Sequence, residues 1–182
     1  MKRNFLSVKI KTLTVIAPDV ALLDKIVEAF RLIRTVDPSE YQKIFDRLQV
    51  IFITHKTGGT NEFFMPEKIW FANKSVIMKN DLPWLASLII HEAFHATQFK
   101  NGEYILPFGK ELEEPAIALQ TRFLKKLEGR RGSASPASAY GRKYWKAMDE
   151  DASSFACFRN LLELFDTKKL DISVMKRGKE DR

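Results

Sequence analysis

The sequence has a single cysteine, Cys157, only three histidines and no long apolar run. One cysteine cannot form a disulfide within the chain or a multi-cysteine zinc site, so the protein needs no oxidising compartment. The longest apolar stretch, residues 82–90, is far shorter than the roughly 18 residues that suggest a membrane span. Lysines interrupt the apolar residues near the start, which argues against a secretory signal peptide. We therefore expect a cytoplasmic protein with no membrane partner, in which any metal is held by histidine, aspartate or glutamate.

Apolar bulk, by contrast, is plentiful. Hydrophobic residues make up 45% of the 182 positions and include 14 Phe and 3 Trp, which is enough to build a core. This composition excludes disorder along the whole chain. We expect one domain over residues 1–166, followed by a polar tail at 167–182.

The order of hydrophobic patterns predicts an α+β fold, because strand-like segments come early and helical segments come late. Residues 7–17 alternate between apolar and polar, as a single strand does. A strand at 49–54 and a hairpin of residues 68–72 and 75–79 complete a small mixed sheet. Helical periodicity and capping residues predict five helices, at 19–35, 38–48, 81–100, from 110 or 114 to 128, and 140–165. The helix at 81–100 is expected to carry the active site, and the two that follow it are the C-terminal helices. A low-complexity loop is predicted at 129–139.

The motif with chemistry in it is His91-Glu92-Ala93-Phe94-His95, an HExxH sequence. Positions i and i+4 of a helix share one face, so both imidazoles can reach one ion at about 2.0–2.1 Å. Glu92 is rotated by about 100° from His91, which suits a base beside the metal rather than a ligand. The uncharged residues around the motif are typical of a buried helix. The pattern therefore predicts one Zn²⁺ per chain bound by His91 and His95.

A catalytic zinc site needs a third protein ligand, and the acidic segment at 111–114 is the best source. On a helical wheel that starts at Leu112, Glu113 lies at the edge of the apolar face. Glu114 and Glu111 lie towards solvent. We therefore predict Glu113 as the third ligand, with Glu114 as the alternative because Pro115 can kink the helix or shift its start.

Together, His91, Glu92, His95 and the downstream Glu-x-x-Ala that begins at Glu113 resemble the gluzincin branch of the zincin metallopeptidases, the group that includes thermolysin. The resemblance covers residues 68–127, with the hairpin taken as similar to the family's edge-strand region. It implies a minimal zincin-like domain in which the two histidines and Glu113 bind zinc and Glu92 is the general base. The implied activity is hydrolysis of peptide bonds in a peptide or protein substrate.

Several further residues have possible roles that the sequence does not decide. A donor that stabilises the oxyanion is expected, and the candidates are His55, Tyr104, Tyr140, Arg142 and Tyr144. Gln98 and Gln120 either hydrogen-bond to the ligands or are solvated. The hairpin either adds a substrate strand or belongs to the core. In the helix at 140–165, Cys157 is expected to be a small buried side chain.

The net charge of +7 is confined to residues 122–146, which contain eight basic residues and one acidic residue, Glu128. Such a patch is usually a solvated face, and otherwise it would dock an acidic partner. The leading hypothesis is a zinc metallopeptidase. The alternatives are a catalytically weak zincin-like metal-binding or regulatory module, and a nucleic-acid-binding protein whose HExxH is incidental.

Overall fold

A computed structural model describes the backbone at residues 5–54, 62–64, 68–100, 103–104 and 110–131. Side chains are described at 5–54, 68–99 and 111–129. The chain divides into two compact units, Met1–Gly141 and Arg142–Arg182, and all the described residues belong to the first. The predicted helix at 140–165, the tail and Cys157 lie outside the described residues.

The described part is a mixed sheet with helices, so the predicted α+β class is confirmed. Five strands make up the sheet in the order β1-β2-β3-β5-β4, and they are β1 Leu6–Ile10, β2 Leu13–Ala17, β3 Val50–Thr54, β4 Glu62–Phe64 and β5 Ile69–Asn73. The β2, β3 and β5 strands are parallel, whereas β1 and β4 pair antiparallel at the two edges. The parallel β2–β3 step is bridged by two helices, α1 Val20–Val36 and α2 Pro38–Arg47.

The prediction of one strand over residues 7–17 is wrong, because the chain turns at Lys11 and forms the β1–β2 hairpin. Lys11 makes this turn with φ of 54°, a left-handed conformation that is uncommon outside glycine and asparagine. A lysine gives no turn signal in the sequence. Its amine is held by a 2.7 Å hydrogen bond to Gln42 and lies 5.0 Å from the ring centroids of both Tyr41 and Phe45.

The second half of the predicted 68–79 hairpin is also wrong. Instead of a strand, the helix α3 spans Lys74–Lys79 directly after β5. Asn73 caps it by accepting a hydrogen bond from the backbone N–H of Ser75 at 3.0 Å. β5 pairs with the earlier strand β4, so the edge of the sheet at this side is β4 and not residues 75–79.

The central helix α4 spans Leu82–His95 and carries the HExxH motif. Asp81 caps it by accepting a hydrogen bond from the N–H of Trp84, and Pro83 lies in its first turn. All residues from 85 to 93 are buried, as expected for a helix that packs on several sides against α1, α2 and α5, which spans Lys110–Arg131 and is the last helix among the described residues.

The end of α4 differs from the prediction of a helix reaching residue 100. After His95 the chain tightens into a short 3-10 helix, Ala96–Gln98, and enters a small two-stranded ribbon of β6 Phe99–Lys100 and β7 Glu103–Tyr104. The helix α5 continues through Pro115, and its C-terminal end at Arg131 extends into the loop predicted at 129–139. Among the described residues, no helix is both long and apolar enough to cross a membrane.

Candidate metal centre

The two histidines of the motif meet on one face of α4. His91 is 2% exposed and His95 is 7% exposed. Their Nε2 atoms lie 3.1 Å apart, and the rings are nearly perpendicular at 81°. This arrangement follows from the spacing alone, because residues four positions apart lie one turn from each other on a helix.

Glu113 reaches the same place from α5. Its Oε2 lies 3.1 Å from Nε2 of His91, and its Oε1 lies 3.5 Å from Nε2 of His95. Its side chain is 17% exposed, whereas Glu114 and Glu111 are exposed to solvent. The structure therefore brings together the three side chains favoured by the sequence, and Pro115 does not rotate Glu113 away from them.

Two imidazole nitrogens and one carboxylate oxygen, all within 4.8 Å of one another, form a group that could hold a metal ion. Tetrahedral coordination at ligand distances of about 2.0–2.2 Å separates neighbouring ligand atoms by roughly 3.3–3.6 Å. The two histidine Nε2 atoms lie 3.1 Å apart, Oε2 of Glu113 lies 3.1 Å from Nε2 of His91, and the other carboxylate oxygen, Oε1, lies 3.5 Å from Nε2 of His95. The spacing and the donor types therefore fit a bound cation.

The charges of the group act on one another. Burial would raise the pKa of Glu113, but the hydrogen bond from His91 and the charges of both histidines together lower it. Burial would lower the pKa of His91, yet Glu113, Glu92 and the Gln120 side chain together raise it. The pKa of His95 is lowered, first by burial and then by the charge of His91.

Glu92 is buried beside this group without belonging to it, at 7% exposure. Burial raises its pKa to about 7, because the attraction of His91 only partly offsets the loss of water and the repulsion of Glu113. An uncompensated buried carboxylate is costly, and such groups are found where chemistry requires them more often than in ordinary cores.

Two glutamines that the sequence left undecided are part of this region. Gln98 is 2% exposed, so it is not a solvated residue, and its Oε1 lies 2.7 Å from Nδ1 of His95. Gln120 on α5 donates a 3.0 Å hydrogen bond to Oγ of Ser87, one turn before His91 on α4. Ser87 was missed by sequence reasoning, since a serine inside an apolar helix carries no signal of its partner.

None of the five candidates for an oxyanion donor is among the residues whose side chains the structure describes. Tyr104 lies in β7, where only the backbone is described. His55, Tyr140, Arg142 and Tyr144 lie outside the described residues.

The helical part of the basic patch is not simply a solvated face. Arg122 donates to Glu40 at 3.2 Å, and Lys126 pairs with Asp37. Both acidic side chains are only 4% exposed. Two charges of the patch therefore connect α5 to Glu40 of α2 and to Asp37, the capping residue between α1 and α2, whereas Lys125 is exposed. Docking of an acidic partner by residues 122–146 stays a prediction.

No family model, no curated protein and no solved structure matches this chain.

Proposed function

We propose that this protein is a zinc-dependent metallopeptidase of the zincin type, with His91, His95 and Glu113 as metal ligands and Glu92 as general base. The observation that carries the proposal is the convergence of two buried imidazoles and the partly buried carboxylate of Glu113 from two helices, with one ligand atom of each within 4.8 Å of the others. Three protein ligands and an open fourth position are the usual composition of a catalytic zinc site, whereas structural sites are closed by four.

Zinc is the metal we expect, because two imidazoles and one carboxylate suit it, although other first-row cations accept the same ligands. When bound, it would supply a Lewis acid that activates water and polarises a carbonyl group. The chain supplies the remaining chemistry. Packing within α4 and against α5 keeps the two imidazoles and Glu113 directed at one point before any ion arrives.

We assign the proton transfer to Glu92. It follows His91 directly on α4, is buried, and is not one of the three ligands. As general base it would accept a proton from the water that attacks the amide carbonyl carbon. As the C–N bond breaks, it would pass that proton to the leaving amine nitrogen. The net reaction adds one water across the peptide bond, so no further reactant is needed.

The experiment compares wild type with Glu92→Gln, which keeps the size of the side chain and removes its basicity. We expect about one zinc per chain in both proteins by metal analysis. Cleavage of a fluorogenic peptide library should fall by roughly 10² to 10⁴ in the variant, the usual contribution of a general base.

Three results would count against the proposal. Full activity of zinc-loaded Glu92→Gln removes Glu92 from its role. Stoichiometric zinc in wild type with no cleavage across the library indicates the metal-binding or regulatory module. Absence of any bound metal, together with nucleic-acid affinity that falls steeply with salt, supports the third hypothesis.

A further inference from the structure

The carboxamide of Gln98 connects the two helices that supply the ligands. Its Oε1 lies 2.7 Å from Nδ1 of His95, and its Nε2 donates to the backbone carbonyl of Leu112 at 2.5 Å. Leu112 directly precedes Glu113 in α5. One buried side chain therefore contacts both a ligand on α4 and the backbone next to a ligand on α5.

The direction of these hydrogen bonds is fixed by chemistry. A backbone carbonyl can only accept, so the amide NH₂ of Gln98 must face Leu112. The amide oxygen then faces His95, and it too can only accept. Nδ1 of His95 must therefore carry the hydrogen, which leaves the lone pair of the neutral ring on Nε2. Nε2 is the atom that lies 3.1 Å from His91 and 3.5 Å from Glu113.

The same contact also tethers the first turn of α5. Pro115 has no N–H, so the carbonyl of Glu111 loses the intrahelical donor that it would otherwise have. The turn that carries Glu113 is consequently held less firmly by its own backbone. The hydrogen bond from Gln98 to Leu112 attaches this turn to the 3-10 helix at the end of α4.

We propose that Gln98 is a positioning residue for the metal site: the carbonyl of Leu112 orients its amide, and the amide holds His95 as the tautomer whose Nε2 can bind metal. This role rests on the proposed metal site but not on catalysis. Outer partners that orient metal-binding histidines typically change metal affinity by roughly 10- to 100-fold.

The tautomer can be observed directly in the metal-free protein. Long-range ¹H–¹⁵N correlation spectra distinguish a ring protonated at Nδ1 from one protonated at Nε2. We expect His95 of the neutral wild-type site to be protonated at Nδ1. A ring protonated at Nε2 would overturn the inference without any variant being needed.

Three variants test the effect on binding, measured as zinc affinity by competition with a chromophoric chelator. Gln98→Met keeps the volume and removes both hydrogen bonds, so affinity should fall roughly 10- to 100-fold. Gln98→Glu keeps an oxygen for His95 but places the other against the carbonyl of Leu112. It should recover most of the affinity while unfolding at least as easily as the Met variant.

Thr97→Val is the matched control, because Thr97 lies in the same short 3-10 helix as Gln98 but is exposed to solvent. The substitution removes a 2.7 Å hydrogen bond from the Thr97 hydroxyl to the backbone carbonyl of Phe94. Its zinc affinity should equal that of wild type. Unchanged affinity in Gln98→Met would overturn the inference alone. Affinities of the Met and Glu variants that simply follow their stabilities would also overturn it, by showing a structural role. No zinc binding by wild type would overturn the proposed function as well, so the failures are distinguishable.

Discussion

Oε2 of Glu113 lies 3.1 Å from Nε2 of His91, so the carboxylate of α5 meets the first histidine of the motif on α4. The two histidines share one helix and would lie near each other in any fold that keeps α4 helical. Glu113 is present only because α5 packs along α4 in one register. The geometry of this candidate metal site therefore depends on both the three side chains and the contacts that hold α5 in place.

The first prediction concerns the choice of the third ligand. Glu113→Ala should lower zinc affinity by more than the 10- to 100-fold typical of an outer partner, because it removes a direct ligand. Glu114→Ala is the matched control, since this neighbour is exposed and should bind zinc as wild type does. Zinc content and competition titrations measure both. Loss of zinc in Glu114→Ala alone would exchange their roles.

The second prediction concerns the coupling of metal binding to folding. A ligand that binds only the folded protein stabilises it, by about 2.7 kcal/mol when its free concentration is 100 times Kd. Thermal unfolding of wild type should therefore shift upward when zinc replaces a chelator. Glu113→Ala should show a much smaller shift under the same conditions. An equal shift in the two proteins would mean that zinc binds elsewhere.

The third prediction concerns the ion pair between Lys126 and the buried Asp37. Lys126→Met leaves a buried carboxylate without its main partner, which should lower the free energy of unfolding by about 1 to 3 kcal/mol. Lys125→Met is the control on the same helix, because Lys125 is exposed and its change should stay within roughly 0.5 kcal/mol. Urea unfolding at neutral pH measures both. If Lys126→Met were as stable as Lys125→Met, the ion pair between Lys126 and Asp37 would contribute nothing to the free energy of unfolding.

The fourth prediction follows from the lowered pKa of Asp37. Burial alone would raise this pKa, but the hydrogen bonds from Lys126 and the Glu40 backbone and the charges of Lys126 and Arg122 bring it below the ordinary 3.8. A lowered folded pKa means that the ionised form stabilises the fold above pH 3.8, and that this contribution disappears as the pH falls through the folded value.

The measurement compares wild type with Asp37→Asn by urea unfolding between pH 7 and pH 3, with a chelator present. The stability difference should be constant near neutral pH and shrink only below about pH 4. Taking the difference cancels the titration of groups shared by both proteins. A difference that grows as the pH falls would contradict the lowered pKa.

Local periodicity explains why the sequence predicted so much of the candidate site. The spacing of His91 and His95 fixes their common face once the segment is a helix. The wheel favoured Glu113 over Glu114 because the apolar residues of α5 had to face inward, and Glu114 is indeed exposed. The caps at Asp19 and Asp81 were readable for the same reason, since each acts within three residues.

The local failures occurred where tertiary contacts overrode local preference. Residues 75–79 include β-branched side chains and read as a strand, yet Ile77 is buried on a helix whose end is bound by Lys25 through the carbonyls of Met78 and Asn80. Lys11 makes its turn with a positive φ and no glycine. Its interactions with α2 involve residues distant in sequence, which no short window contains.

The sequence by itself therefore determined the α+β class and the helix that carries the two histidines, and it favoured Glu113 over Glu114 on the inward edge of its own helix, because each depends on the order of the elements or on spacing within one of them. The tertiary structure alone decided where α4 ends, which brings Gln98 to His95 and Leu112. It also decided that Arg122 is paired with Glu40 of α2 and Lys126 with Asp37, the residue that caps α2. Those relations join separate elements, and the packing of α5 against α4 sets them.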